Sequence, residues 1–466
     1  LSVCVCVCVC VCLPIPAFSL SPVCAHMEDF HAVVALDGGA GTCKGSVAAL
    51  RDSTTREWTL THHPCKEVPC MVCRSKRDGT SFIADEFLRS DDLSTLTLSF
   101  PFDRGFPVDF AVLGSIWSRL FSGELLRVNP KDSCLCLSTP VGCPDALLED
   151  LESMVFDYFQ FKALCRKPGP VWAFDYIRSL YEEEAPGKLG VTMIVDSGFS
   201  ATTVIPFVGG QMFASAVRRV NVGGKLLTNY LKEVLSFRSV NLMDETLVVT
   251  DMKEKMSFVS LDFDHDLERL RPSSSHCMAP SSGMVMPKGP GDVGADVCRE
   301  YVLSSSSGSA FGDLRLPWEP KEESDEVIPV GIERFTVPEL LFNPTDAGLQ
   351  QGGVVDAIQE CLDALPEDIA PFMLENVVLV GGHALMPGFQ ERLVLELQKR
   401  CADGSTVRIL PLEEGENGRA VWQGIQHMAT VVGTSAAPVV SRMEFSKQGH
   451  ALCRERFGDA AFEGVK

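Results

Sequence analysis

Residues 33–47 read VVALDGGAGTCKGSV, an apolar run that ends in Asp37, turns through Gly38, Gly39 and Gly41, and leaves through Thr42, Cys43 and Lys44. Backbone N–H groups at such a turn can approach phosphate oxygens because no Cβ intervenes. Lys44 adds a point charge for β- and γ-phosphates. Asp37 cannot ligate phosphate, but a carboxylate there suits Mg²⁺ held through its waters. Taken alone, a Gly-rich turn between two strands is also what any tight hairpin requires. A second site element is needed to decide.

That element lies at residues 193–205, MIVDSGFSATTVI. It repeats the device: a buried strand, Asp196 at its end, a hairpin through Ser197 and Gly198, the hydroxyl of Thr202, and a returning strand. The pair predicts two related domains that each point a hairpin at a shared cleft, with Asp37 and Asp196 as the metal-holding carboxylates. A third turn, VVLVGGHALMPG at 377–388, places Gly381 and Gly382 where a helix opens, suited to the adenine or ribose face of a nucleotide.

The elements that must position these residues follow from periodicity. FAVLGSIWSRLF (110–121) has helical spacing, CLCLSTP (134–140) reads as a short buried strand, and the segment 143–161 opens with Pro and Asp as a helix does. Residues 218–235 pass through a Gly pair into an amphipathic helix, 244–259 enters another, and 375–401 reads as strand, Gly turn and long helix. Strands alternating with helices predict an α/β fold. The expected organisation is a first domain over 27–180 with a small irregular subdomain at 51–98, then a second domain over 181–457. Residues 271–325, dense in Ser, Gly and Pro and ending in EPKEESDE, read as a disordered insertion. Residues 458–466 read as a tail. The first 26 residues, opening LSVCVCVCVCVC, resemble a translated dinucleotide repeat, so the natural start is expected at Met27. A secretory signal is the competing reading, weakened by its prolines and the lack of a positively charged start.

Composition excludes several classes. A chain of 466 residues with net charge −21 lacks the basic surface that non-specific nucleic-acid binding requires. Sequence-specific contact with nucleic acid is not expected, although basic protein surfaces such as histones remain open partners. Beyond the N-terminus no apolar run is long enough to span a membrane. Thirteen of the 19 cysteines follow Met27, scattered through apolar runs, a pattern of reduced buried thiols in cytosol or nucleus. Cys65, Cys70 and Cys73 follow His62 and His63, but one C-x-x-C half-site without its partner does not specify zinc.

The ordered set resembles the actin superfamily from about Phe30 to Phe457. LDGGAGTCKGSV is similar to actin's first phosphate loop and IVDSGFSATTVIPF to its second. FPFDRGFPVDFAVLGSIWSRLF, DMKEKMSFVSLDF, GIERFTVPELLFNPTDAG, VLVGGHALMPGFQERL and AVWQGI follow in actin's order. PCMVCRSK (69–76), the segment 218–246 and HALCRERF (450–457) resemble the nuclear actin-related proteins of class six. That resemblance implies an actin-like fold of two α/β domains around a nucleotide cleft. It also implies a scaffold role in a Swr-type chromatin remodelling complex that exchanges a variant histone, beside a zinc-finger subunit and the remodelling ATPase.

Carried over position by position, the cleft would comprise Asp37, Gly39, Gly41, Thr42, Lys44, Asp196, Ser197 and Gly198. Gly224, Lys253 and Glu254 would lie near ribose and base, with Gly381 and Gly382. ATP or ADP with Mg²⁺ is the implied ligand. The chain departs from actin in four places: Ala40 replaces a loop Ser, Phe199 an Asp, Thr203 a His, and Asp175 stands for a Gln that positions water. Hydrolysis needs a polar network that holds water in line with the γ-phosphate, so binding without useful turnover is expected, and no catalytic residue. The alternative is an ATP-hydrolysing cytoskeletal protein of the same fold.

Overall fold

The computed structural model describes residues 30–458 apart from 52–57, 62–63, 91, 182–188, 239, 271–286, 291, 293, 304–310, 321–324, 402–405 and 433–437. The low-complexity residues 1–26, the expected start at Met27 and residues 459–466 of the tail lie outside the described residues.

Two sheets organise the chain. In the first, Val440–Ser441, Ala163–Pro168, Ser133–Thr139, Ala32–Gly38, Thr42–Arg51 and Trp58–Leu60 lie side by side, and Lys66–Pro69 also pairs with Thr42–Arg51. Ala32–Gly38 runs parallel to Ser133–Thr139, which runs parallel to Ala163–Pro168. Central parallel strands are covered on both faces and therefore read as continuous apolar runs; Val33, Val34, Ala35 and Leu36 are all fully buried. One face packs on the helix Phe110–Phe121 through Leu113, Ile116, Trp117 and Leu120. The Asp109 side chain caps that helix by accepting from the N–H groups of Ala111 and Val112.

In the second sheet Thr202–Val208, Val191–Ser197 and Val377–Val380 are consecutive neighbours, with Gln211–Met212 and Arg218–Val220 both paired to Thr202–Val208. Its core takes Leu227, Leu231 and Leu235 from the helix Gly224–Arg238, Val249 and Met252 from Thr246–Met256, and Phe389 and Leu393 from Phe389–Arg400. The helix Gly169–Tyr181 serves both sheets. Its Trp172 belongs to the first core, while Phe174 stacks on Phe207 of the second with centroids 4.3 Å apart.

The C-terminal boundary differs from the expected 181–457 domain. Residues 420–457 return to the first sheet: Trp422, Ile425 and Val439 join its core, and Val440–Ser441 pairs antiparallel with Ala163 and Leu164. Gly424 permits this, since a Cβ there would meet the Trp172 carbonyl oxygen at 1.8 Å. Periodicity identifies a helix but not the sheet it packs on.

The expected disordered insertion is also ordered in part. Arg299–Leu303 pairs with Asp313–Arg315 and with Glu326–Val330, and Tyr301 is fully buried. A five-residue strand among Ser and Gly leaves too few periods to read. Residues 271–286 and 304–310 of that insertion lie outside the described residues. Within 51–98, Trp58–Leu60 and Lys66–Pro69 extend the first sheet, and only Val72–Ser75, Ser81–Ile83 and Leu96–Ser99 form a separate small sheet. Among the described residues no helix is long and apolar enough to cross a membrane.

Candidate functional site

The hairpins expected from the sequence form, and their registers place the charged residues. Ala32–Gly38 and Thr42–Arg51 pair with Asp37 opposite Lys44 and Gly38 opposite Cys43, leaving Gly39, Ala40 and Gly41 as the tip. A Cβ on Gly39 would lie 2.7 Å from the Thr42 carbonyl oxygen, so the turn requires Gly there. Val191–Ser197 and Thr202–Val208 pair with Asp196 opposite Thr203 and Ser197 opposite Thr202.

Asp37 sits beside Lys44, with Nζ and Oδ2 3.9 Å apart. Ser138, at the end of the neighbouring parallel strand, donates to Asp37 Oδ1 at 2.8 Å and accepts from the Gly38 N–H at 2.9 Å. Asp196 has no such support. Its carboxyl receives no hydrogen bond among the described residues, and burial, then the Asp37 charge, push its pKa up to about 6. Lys44 opposes that shift. The two aspartates therefore face one field, and a cation between them relieves the repulsion.

Ser197 and Thr202 are not open to a ligand through their hydroxyls alone. Ser197 Oγ lies 2.8 Å from Thr202 Oγ1 and 2.8 Å from His383 Nδ1. His383 is held neutral, its pKa lowered to about 3 by burial and by Lys253. Gly198 closes the hairpin by donating to the Ala201 carbonyl at 3.0 Å. The Gly198 and Phe199 carbonyls in turn accept from the N–H groups of Gly224 and Lys225 at 3.1 and 2.8 Å. Two donors at the start of the helix Gly224–Arg238 are thus taken by protein rather than left for phosphate.

Gly381 has φ +90°, and a Cβ on it would meet the Ser197 carbonyl oxygen at 2.3 Å and Asp196 Oδ1 at 3.0 Å. The third turn is locked against the second hairpin, while Gly382 opens onto free space. Lys253 differs from its expected place beside ribose and base. Its ammonium turns inward to the Gly224 carbonyl and Thr228 Oγ1, both at 3.1 Å, and burial lowers its pKa. Glu254 is exposed beside it, so of that pair only Glu254 is available to a ligand.

Three of the four departures carry physical consequences. Phe199 lies against Gly41, where a Cβ would meet Phe199 Cβ at 2.8 Å, so the hairpin tips touch through an apolar ring. Asp175 is paired with Lys167 at 2.8 Å, and the Lys167 ammonium also lies 4.6 Å from the Trp172 ring centroid. A carboxylate already engaged by an ammonium cannot donate to a water as an amide can. Neither Phe199 nor the methyl and hydroxyl of Thr203 supplies a basic group.

Ser138 and His383 were missed by sequence reasoning. The polar end of the buried run CLCLST was the only sign of Ser138; nothing local marks His383, which acts through a contact 186 residues away in sequence. Cys65, Cys70 and Cys73 form no metal-binding cluster among the described residues, and His62 and His63 lie outside them. All described cysteines are free thiols.

The donor set fits a hydrated divalent cation and phosphate: two facing carboxylates, one without any protein donor, a lysine at 3.9 Å and open backbone at Gly382. Two related α/β halves that enclose such a cleft define an actin-type nucleotide-cleft protein. The actin family model matches residues 32–458, and the chain belongs to the actin family. It is 33% identical over 444 residues to actin-related protein 6 of Oryza sativa subsp. indica, covering 91% of this chain and 98% of the relative. It is 31% identical to actin-related protein 6 of Arabidopsis thaliana, covering 91% and 99%. The actin-like protein ARP6 of Cryptococcus neoformans is 30% identical, with 91% and 84% covered.

Proposed function

We propose that the chain is a non-polymerising scaffold subunit of a nuclear chromatin remodelling complex that binds ATP or ADP with Mg²⁺ and does not hydrolyse it usefully. The observation that carries the nucleotide half is the asymmetry of the cleft. Charges for cation and phosphate are retained at Asp37, Lys44 and Asp196, while Phe199 and Thr203 supply no basic group and Asp175 is already bound by Lys167.

In this reading Asp37 and Asp196 hold the metal through its waters, and Lys44 meets the β- and γ-phosphates. Gly39, Gly41 and Thr42 offer backbone N–H groups, and Gly382 and Glu254 border the ribose and base. Bound Mg²⁺ supplies charge neutralisation between the phosphates. Ser138 fixes the Asp37 carboxylate, and His383 fixes Ser197, so the chain presents a prearranged cradle.

The scaffold half is supported by the resemblance of 69–76, 218–246 and 450–457 to actin-related proteins of class six. It names the remodelling ATPase and a zinc-finger subunit as partners, with histones as a basic surface for an acidic chain. The test is affinity capture of the tagged chain from nuclear extract. Recovery of a remodelling ATPase is expected; its absence, with the chain intact and soluble, removes the complex assignment.

A further inference from the structure

The two halves of the molecule grip each other across the cleft mouth through their own side chains. Phe100, which follows the small subdomain and packs on its apolar cluster, faces Phe199 of the second hairpin, with ring centroids 5.8 Å apart. The Lys225 ammonium, from the first turn of the helix Gly224–Arg238, lies 5.1 Å from the Phe100 centroid. On its other side Phe199 abuts Gly41 of the first hairpin, leaving no room there for even a methyl group.

Two further contacts repeat the pattern at separate points. Arg219 donates to the Arg104 carbonyl, and its guanidinium lies 5.4 Å from the Phe106 centroid. Higher on the mouth, Leu247 and Phe311 from the second half pack into the small subdomain's apolar cluster of Met71, Cys73, Phe87 and Leu96. The Phe311 ring meets Phe87 edge-on at 6.4 Å.

We propose that this three-point clasp, and not a bound nucleotide, holds the cleft closed. A ligand shifts a domain equilibrium only by its differential interaction with the two states. Where the bridging contacts are apolar and cation–π contacts within the chain, the closed state is favoured with or without ligand. Apart from Gly41, whose backbone Phe199 abuts, no clasp residue holds metal or phosphate, and the bridging side chains act without a nucleotide. Phe199 thus exchanges water-handling chemistry for adhesion between domains. The clasp also makes nucleotide release slow, because the mouth must part first.

The test is small-angle X-ray scattering of the full chain, stripped with EDTA and apyrase, with and without added Mg-ADP. The wild-type radius of gyration is expected to be the same in both states. The Phe100→Ala/Phe199→Gly double variant is expected to expand when stripped. Arg219→Gln with Lys225→Gln keeps the aromatic packing and serves if the first variant misfolds; protease cleavage of its 100–106 turn should rise several-fold. A wild-type chain that expands on stripping, or variants that remain compact and resistant, overturns the clasp. A separate Mg-ADP thermal shift reports binding: a compact chain with no shift keeps the clasp and removes the nucleotide reading.

Discussion

The two hairpins share a backbone and have parted in chemistry. Each carries a buried strand, an aspartate at its end and a tight turn, and each aims at the other across the cleft. The first keeps a complete polar set: Asp37 is held by Ser138 and faces Lys44. The second keeps its carboxylate without a donor and replaces the polar groups around the turn with Phe199 and Thr203. Charge recognition survives when one side of a cleft supplies the cation, whereas hydrolysis needs polar groups from both sides to agree on one water. In the proposed reading, the changes in the second hairpin, together with the Lys167-bound Asp175, would remove turnover and leave binding.

The largest expected effect comes from breaking the second hairpin's backing. Gly381→Val forces a side chain into the Ser197 carbonyl at positive φ, and a loss of about 3 kcal/mol or more is expected by chemical denaturation. A fully stable variant would show that the third turn does not lock the hairpin. Lys44→Ala should weaken Mg-nucleotide by about 10- to 100-fold in calorimetric titration, the scale of one charge-assisted contact, with the ligand-free fold little changed. Equal affinity would move the site elsewhere.

Asp196→Asn acts on the orphaned carboxylate and should separate stability from binding. Its folded pKa, raised to about 6 from 3.8, means that the folded chain binds more protons than the unfolded one between those values. Ligand-free wild type therefore loses stability as pH rises from about 4 through 6, then levels off. The variant should lack that decline, be more stable than wild type at pH 7 by about 1–3 kcal/mol, and lose the Mg²⁺-dependent thermal shift. A variant no more stable at pH 7 would mean that neither burial nor the Asp37 charge penalises the ionised Asp196 carboxyl. The smallest effect is expected from Ser138→Ala, about 1 kcal/mol, from the lost bonds to Asp37 and Gly38; an unchanged melting point would remove its role in holding the first hairpin.

Most of this comparison is legible in the sequence because it is local. An apolar run, an aspartate, glycines and a hydroxyl within ten residues specify each hairpin, and the helices 110–121 and 224–238 declare themselves by spacing. What sequence hides is set at long range. The return of 420–457 to the first sheet depends on Gly424 meeting Trp172. The inward turn of Lys253 depends on Gly224 and Thr228 from another helix. The Asp175–Lys167 pair joins a helix to the strand before it, and neither residue type alone announces that the carboxylate is already engaged.

The measurement that bears most directly on the account is phosphate release from Mg-ATP by the purified full chain, in single turnover, with binding confirmed on the same sample. The expected result is saturable binding with no release above buffer. A burst or steady release that Lys44→Ala abolishes would contradict it, because the second hairpin would then still organise water despite Phe199 and Thr203.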